Sequence, residues 1–350
     1  LRFGVCSDSH LGNHTAFSGV EIGRINRRCQ QIIDCLELAL ARCIEAGCES
    51  IIIAGDVFDS DHPFPDLIAA VLSLFRQYTA RGLTIILVVG NHDQHSNTPR
   101  DHALAPFMGE FQVFETPGYI ERLPRVFICP FGYNPVDFKD GGDITIAHHG
   151  ISEDTTHPAK AAGTGVIRVE KIREWMKAVG CSIYLSGDWH EHRSWDNNRI
   201  IQIGALAPVN WTNRAYSPLF HEPYGSLLIV GNEVERVIIP GPRFMQALSE
   251  TEVTILLTEA RLEGNIPYVD FIGGNLKDVA EELRPFLRTS GAAETNQAEA
   301  TRKVREVSSN SSAEEQAREL LESDPLIPDS LRERVAKMVL SAMKEARCQT

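Results

Sequence analysis

The chain has 350 residues, 43% of them hydrophobic and 23% charged, enough for a sizeable core and, by length, for about two domains. Acidic residues outnumber basic ones 47 to 34, a net charge of −13. That excludes a protein that coats nucleic acid through its own overall charge, because such affinity comes from Lys and Arg neutralising phosphates. No apolar run approaches the length of a membrane span, so no membrane partner is expected.

In chain order, RFGVCSDSH reads as a strand entering a polar turn, without the basic, apolar and small-residue zones of a secretory leader, and a cytoplasmic protein is expected. A helix follows near residues 26 to 46: Cys29, Ile32, Ile33, Leu36, Leu40 and Cys43 share one face, and Gly47 is placed to cap its end. SIIIAGD is the next strand, a second helix runs from Pro65 to Arg81-Gly82, and TIILVVGNHD is a third strand. This alternation predicts a layered α/β fold. VFICP, DITIAHHG, CSIYLSGD, RIIQIGA, SLLIV and RVIIP are short, turn-bounded and β-branched, and predict a second sheet.

The pattern changes at Gly241-Pro242, where a smaller α/β unit begins with EVTILL and PYVDFIGG and continues to a helix at LKDVAEELRPFL. The division read from these breaks is a catalytic domain over 1–240, a small α/β cap over 241–288, a linker or weak helix over 289–327, and an amphipathic helix over 328–350. In the last, Ser330 and Glu333 have capping-box spacing, and Leu331, Val335, Met338, Val339 and Ala342 form one stripe suited to a partner. Eight cysteines (Cys6, Cys29, Cys35, Cys43, Cys48, Cys129, Cys181, Cys348) stand singly in apolar patterns, without a CxxC, and read as reduced, mostly buried thiols.

Five polar clusters sit where apolar strands end: Asp8-Ser9-His10, Gly55-Asp56, Gly90-Asn91-His92-Asp93, His148-His149-Gly150, and Gly187 to His192. Loops at the carboxyl ends of strands converge on one crevice in such folds. Asp, His and Asn together suit borderline and hard divalent ions, and no Cys is among them. Asp8 and His10, two apart, could share one ion, as could members of Asp188, His190 and His192. Asp56, from a separate strand, is suited to bridging two ions, which would clamp a phosphoryl group and acidify a water.

The motifs DSH, GDVFD, GNHD, HHG and GDWHEH, in this order, resemble the calcineurin-like metallophosphoesterase signature. More narrowly, GDVFDS, the GPRF junction and the terminal helix resemble SbcD-type DNA repair exonuclease subunits of bacteria and phages. The resemblance implies a four-layer β-sandwich flanked by helices, and two divalent ions, Mn²⁺ first with Mg²⁺, Fe²⁺ or Zn²⁺ as alternatives. It puts Asp8 and His10 on one ion, Asp56 between the two, and Asn91 and His148 on the other. His92 becomes the non-ligand histidine that steadies the phosphoryl oxygens or protonates the leaving group, with Asp93 to orient it.

The last motif departs from the family's GHxH. Without a gap, Asp188 and His190 take the two ligand positions and His192 is extra; shifted by two, His190 and His192 take them. The gap-free alignment keeps the glycine turn, and the departure bears on the charge of the second ion's site. Asp59 stands where some relatives carry a histidine that places nucleic acid, so substrate binding is a role for it.

Surface positions are expected for His14, His62, His95, His102, His157 and His221. Arg24, Arg27 and Arg28 fit either phosphate contacts or a solvated helix face, and Trp189, Trp195 and Trp211 fit either base stacking or core. The function implied is metal-dependent hydrolysis of DNA by the nuclease subunit of an SbcC-SbcD-like complex, in a bacterial cell or a phage-infected host. DNA and an SbcC-type ATPase, docked through the terminal helix, are the partners, with a homodimer left open. The alternatives are a phosphoesterase acting on small nucleotides or phosphoproteins, and a non-catalytic scaffold with an impaired metal site.

Overall fold

The computed structural model describes residues 2–14, 24–95, 100–153, 165–208, 225–247, 249–262, 266–272, 274 and 287–290. Residues Leu1–Thr289 form one compact unit, and a second unit starts at Ser290. The expected helix at 276–287, up to residue 286, and the chain from 291 onward, with most of the expected linker and all of the terminal helix, lie outside the described residues.

The first elements are β1 (Phe3–Cys6), α1 (Arg27–Glu45), β2 (Ser50–Ala54), α2 (Pro65–Ala80), β3 (Thr84–Val88), β4 (Gln112–Phe114) and β5 (Gly118–Ile120). Next come β6 (Leu123–Cys129), β7 (Ile144–His148), β8 (Gly150–Ser152), β9 (Val166–Arg168), α3 (Val169–Val179), β10 (Ile183–Gly187), β11 (Arg193–Trp195) and β12 (Ile200–Gln202). The remainder are β13 (Ser226–Val230), β14 (Val234–Ile238), β15 (Pro242–Ala247), α4 (Glu250–Leu262), β16 (Ile266–Ile272) and β17 (Leu287–Ser290).

Two six-stranded sheets, in the orders β14-β13-β1-β2-β3-β4 and β11-β12-β10-β7-β6-β5, stack face to face. Successive side chains of a strand point to opposite faces, and here both faces are apolar. In β2, Ile52 and Ala54 enter the core between the sheets with Ile86, Val88, Ile128, Ile146 and Leu185. Ile51 and Ile53 point the other way, under α1 and α2. The second sheet does the same on its outer side, where Tyr184 and Ala147 meet Ile172 and Met176 of α3. The result is the expected four-layer sandwich.

Asn26 caps α1 by accepting from the Cys29 N–H at 2.8 Å, and Pro65 opens α2. The seven described cysteines are free and buried. No helix among the described residues is long and apolar enough to cross a membrane.

Three assignments differ from the sequence pattern. SLLIV and RVIIP, expected in the second sheet, supply β13 and β14, which extend the first sheet, β13 antiparallel to β1 and β14 antiparallel to β13. Pro242, read as a break, opens β15, which pairs with β16 in a separate three-stranded sheet. EVTILL lies inside α4, packed on that sheet through Val253, Leu256 and Leu257. Arg28, on neither a solvated face nor a phosphate path, is fully buried, with its guanidinium 4.9 Å from the Phe244 ring and 5.3 Å from that of Tyr268. It ties α1 to the small sheet through cation–π contacts, donating also to the Pro208 carbonyl at 3.1 Å.

Candidate metal centre

β1, β2 and β3 run parallel, as do β7 and β10, so within each sheet their carboxyl ends share one edge. Hydrogen bonds join the two edges. The loop after β1 zips along that after β2: Asp8 N–H donates to Gly55 O at 3.1 Å, His10 N–H to Asp56 O at 3.0 Å and Leu11 N–H to Val57 O at 2.9 Å. Across the sandwich, His148 Nδ1 bonds Ala54 O at 2.7 Å, and Asp188 N–H donates to both carboxylate oxygens of Asp8 at 3.1 and 3.2 Å. Asp8, His10, Asp56 and Asp188 have φ of 54°, 44°, 50° and 82°, four of the seven non-glycine positive values among the described residues. A positive φ is uncommon outside glycine, although Asp and His adopt it more readily than most residues, and it clusters where function holds it in place. Gly55 supplies the space: at φ 93° it passes against His148, and a Cβ there would overlap the imidazole.

Of four groups of potential donors among the described residues, two meet at Asp8. Asp8, His10 and His190 offer ligand atoms within 4.8 Å of one another, and so do Asp8, Asp56 and His148. Asp56 lies between them, with Oδ2 3.5 Å from His10 Nε2 and Oδ1 3.4 Å from His148 Nε2. Asn91 joins the second group: its amide oxygen is 3.0 Å from His148 Nε2, 3.2 Å from Asp188 Oδ1 and 3.3 Å from Asp56 Oδ2. That oxygen faces acceptors only, a crowding that a turned amide or a cation would relieve. His10 and His190 likewise meet through Nε2 at 3.0 Å.

The outer nitrogens face oxygen atoms of neighbouring residues. His148 Nδ1 is on a carbonyl, and His10 Nδ1 is 3.4 Å from Asp59 Oδ1, an arrangement that turns each Nε2 lone pair inward. The donor set is carboxylate, imidazole and amide oxygen, buried and convergent, and it fits a pair of divalent cations.

Without cations the centre draws protons instead. Burial disfavours the His148 imidazolium, but Asp56, with Asp8 and Asp188, outweighs it and pushes His148 up to about 10. His10 is raised by the same contest between burial and Asp59, Asp56 and Asp8. Asp56 is held below the usual carboxylate range, because His148, His10 and His92 overcome its burial. Asp188 rises to about 6 through burial and the charges of Asp8 and Asp56.

The calcineurin-like phosphoesterase family matches residues 1–224, which span all five loops. The chain belongs to the calcineurin-like phosphoesterase family. It is also 29% identical over 149 residues to the DNA double-strand break repair protein Mre11 of Halobacterium salinarum, a match covering 41% of this chain and 34% of that protein.

Within this calcineurin-like site, Asp188 lies beside Asn91 and His190 against His10, while His192 Nδ1 turns to the Ile203 carbonyl at 3.0 Å. His92 is exposed; its N–H donates to Asp56 Oδ1 at 2.9 Å and its Nδ1 bonds the Asp59 carbonyl at 2.9 Å. Asp93 does not orient it, contrary to expectation. The Asp93 carboxylate is fully buried and accepts from the N–H groups of Phe58 at 3.1 Å and Gly90 at 3.0 Å, so it braces one loop against the next. Burial and the Asp56 charge raise it to about 6.

Asp59, expected on the substrate, faces His10 and His14, 3.4 and 3.7 Å from their Nδ1 atoms. Its distance of three residues from Asp56 was the signal available for this placement. His149 points away from the donor groups to Tyr184 Oη and the Gly150 carbonyl. His62 and His95 are exposed as expected, but His102 is buried with Nε2 3.3 Å from Glu115, and His14 lies mostly buried on the His10 carbonyl. His157, His221 and Trp211 fall outside the described residues. Trp189 lies against Gly150, and Trp195 donates to Glu153 at 2.6 Å.

Proposed function

We propose that the chain hydrolyses phosphodiester bonds in DNA with two divalent cations, as the nuclease subunit of an SbcC-SbcD-like assembly. The observation that carries this reading is Asp56, whose two oxygens face two different donor groups. In it Asp8, His10 and His190 hold one cation, Asn91, His148 and Asp188 the other, and Asp56 both. Cations so placed supply charge against the phosphoryl oxygens and a water acidic enough to attack near neutral pH. His92, with Nδ1 committed to Asp59, keeps Nε2 for a phosphoryl oxygen or for protonating the leaving oxygen. Asp188 leaves an oxygen donor beside Asn91 where the family pattern has histidine, which favours an enzyme over an impaired scaffold.

DNA as substrate is supported by the likeness to Mre11, whose name is that of a DNA repair protein. Residues 328–350 would dock an SbcC-type ATPase, whose DNA-binding surface would offset the chain's net charge of −13. The test is hydrolysis by the purified chain with Mn²⁺ of plasmid, linear duplex and single-stranded DNA beside a small phosphodiester. Cleavage of DNA and of the small ester is expected. Cleavage of the small ester alone would mark a small-molecule phosphoesterase, and cleavage of neither a scaffold.

A further inference from the structure

The two donor groups that meet at Asp56 differ in kind. On one side two imidazoles, His10 and His190, face each other through Nε2 at 3.0 Å. On the other, His148 is the nitrogen donor and the rest are oxygens: the Asn91 amide, the Asp188 carboxylate 3.2 Å from it, and Asp56. Asp188 decides this asymmetry, because an imidazole in its place would give both sides two nitrogens. The backbone that carries it is held, since the Asp188 N–H is fixed on Asp8 and the backbone is left-handed at φ 82°.

We propose that Asp188 makes this second position selective for a hard divalent cation of the Mn²⁺ and Mg²⁺ class against Zn²⁺, while the nitrogen-rich first position stays open to borderline ions. The inference rests on the binuclear reading above. Carboxylate and amide oxygens suit Mg²⁺ and Mn²⁺, whereas imidazole suits Zn²⁺.

The experiment uses the full chain, stripped of metal and dialysed against equal concentrations of Mn²⁺ and Zn²⁺. Bound metals are then counted by mass spectrometry, and Mn²⁺ is followed by electron paramagnetic resonance. Asp188→His is compared with Asp188→Asn; His and Asn, like Asp, are among the residues that tolerate left-handed backbone. Changes to groups that only orient a ligand move metal affinity about 10- to 100-fold, so this exchange of donor should lower the retained Mn²⁺ to Zn²⁺ ratio by about tenfold or more in Asp188→His. Asp188→Asn, which keeps an oxygen donor, should stay nearer the unaltered ratio.

An unchanged ratio in folded Asp188→His would overturn the inference, as would an equal fall in Asp188→Asn. Should Asp188→His not fold, the unaltered chain still decides, because two Zn²⁺ and no Mn²⁺ retained would overturn it. Fewer than two ions bound by the unaltered chain, whatever their identity, would overturn the binuclear reading itself and this inference with it.

Discussion

Loading the centre with a divalent cation should expel protons, because the acidic cluster holds His148 protonated up to about pH 10 when no metal is bound. A metal takes the Nε2 lone pair, which the proton occupies, so at pH 7.5 binding works against about 2.5 pH units, or about 3 kcal/mol. Apparent affinity should therefore rise about tenfold per pH unit between roughly pH 7 and 9. Below about 6 it should fall more steeply, as Asp188 also takes up a proton. Isothermal titration of Mn²⁺ at pH 7.5, in buffers of different ionisation enthalpy, counts the protons released. At least one per chain is expected, and fewer from His148→Gln. An affinity flat between pH 7 and 9, with no proton released, would refute the electrostatic picture of the site.

Gly55→Ala should lose about 2–5 kcal/mol in urea denaturation, from left-handed strain of about 1–2 and overpacking on His148 of about 1–3; an unaltered midpoint would show that His148 is not confined there. His92→Gln should lower turnover about 10²-fold or more with metal stoichiometry intact, and loss of metal would instead make His92 a ligand. His149 is pushed down to about 4, by burial and then by the His148 charge. An unfolded chain thus binds this proton first as pH falls, and stability is lost from about pH 6.5 down to about 4. Going from pH 7.5 to 5 should cost the unaltered chain about 2 kcal/mol more than His149→Gln, and equal losses would remove His149 from the acid response.

The parts of the site legible in the sequence are those that local pattern controls. Ile51 to Ala54 and Ile85 to Val88 are apolar on both faces, which marks buried strands, and the polar residues after them must sit at one sheet edge. Which sheet a strand joins is not local: Leu228 has the same composition as a second-sheet residue, yet pairs with Val5. Side chains with several chemically equivalent partners were likewise illegible. Asp93 beside His92 reads as its partner, but the backbone N–H groups of Phe58, in another loop, and of Gly90, in its own, reach it first. Arg28 reads as either solvated or set to meet phosphate until Phe244 and Tyr268, more than 200 residues away, close over it. His149 and His148 are indistinguishable as a pair in sequence, and it takes the fold to send one to the metal edge and the other to Tyr184.

The sharing of Asp56 between two ions is tested most directly by counting metal in purified variants. The unaltered chain is expected to retain two divalent cations, His10→Ala to lose chiefly one, and Asp56→Ala to lose both, since its two oxygens face both donor groups. Full metal content in folded Asp56→Ala would contradict the shared position.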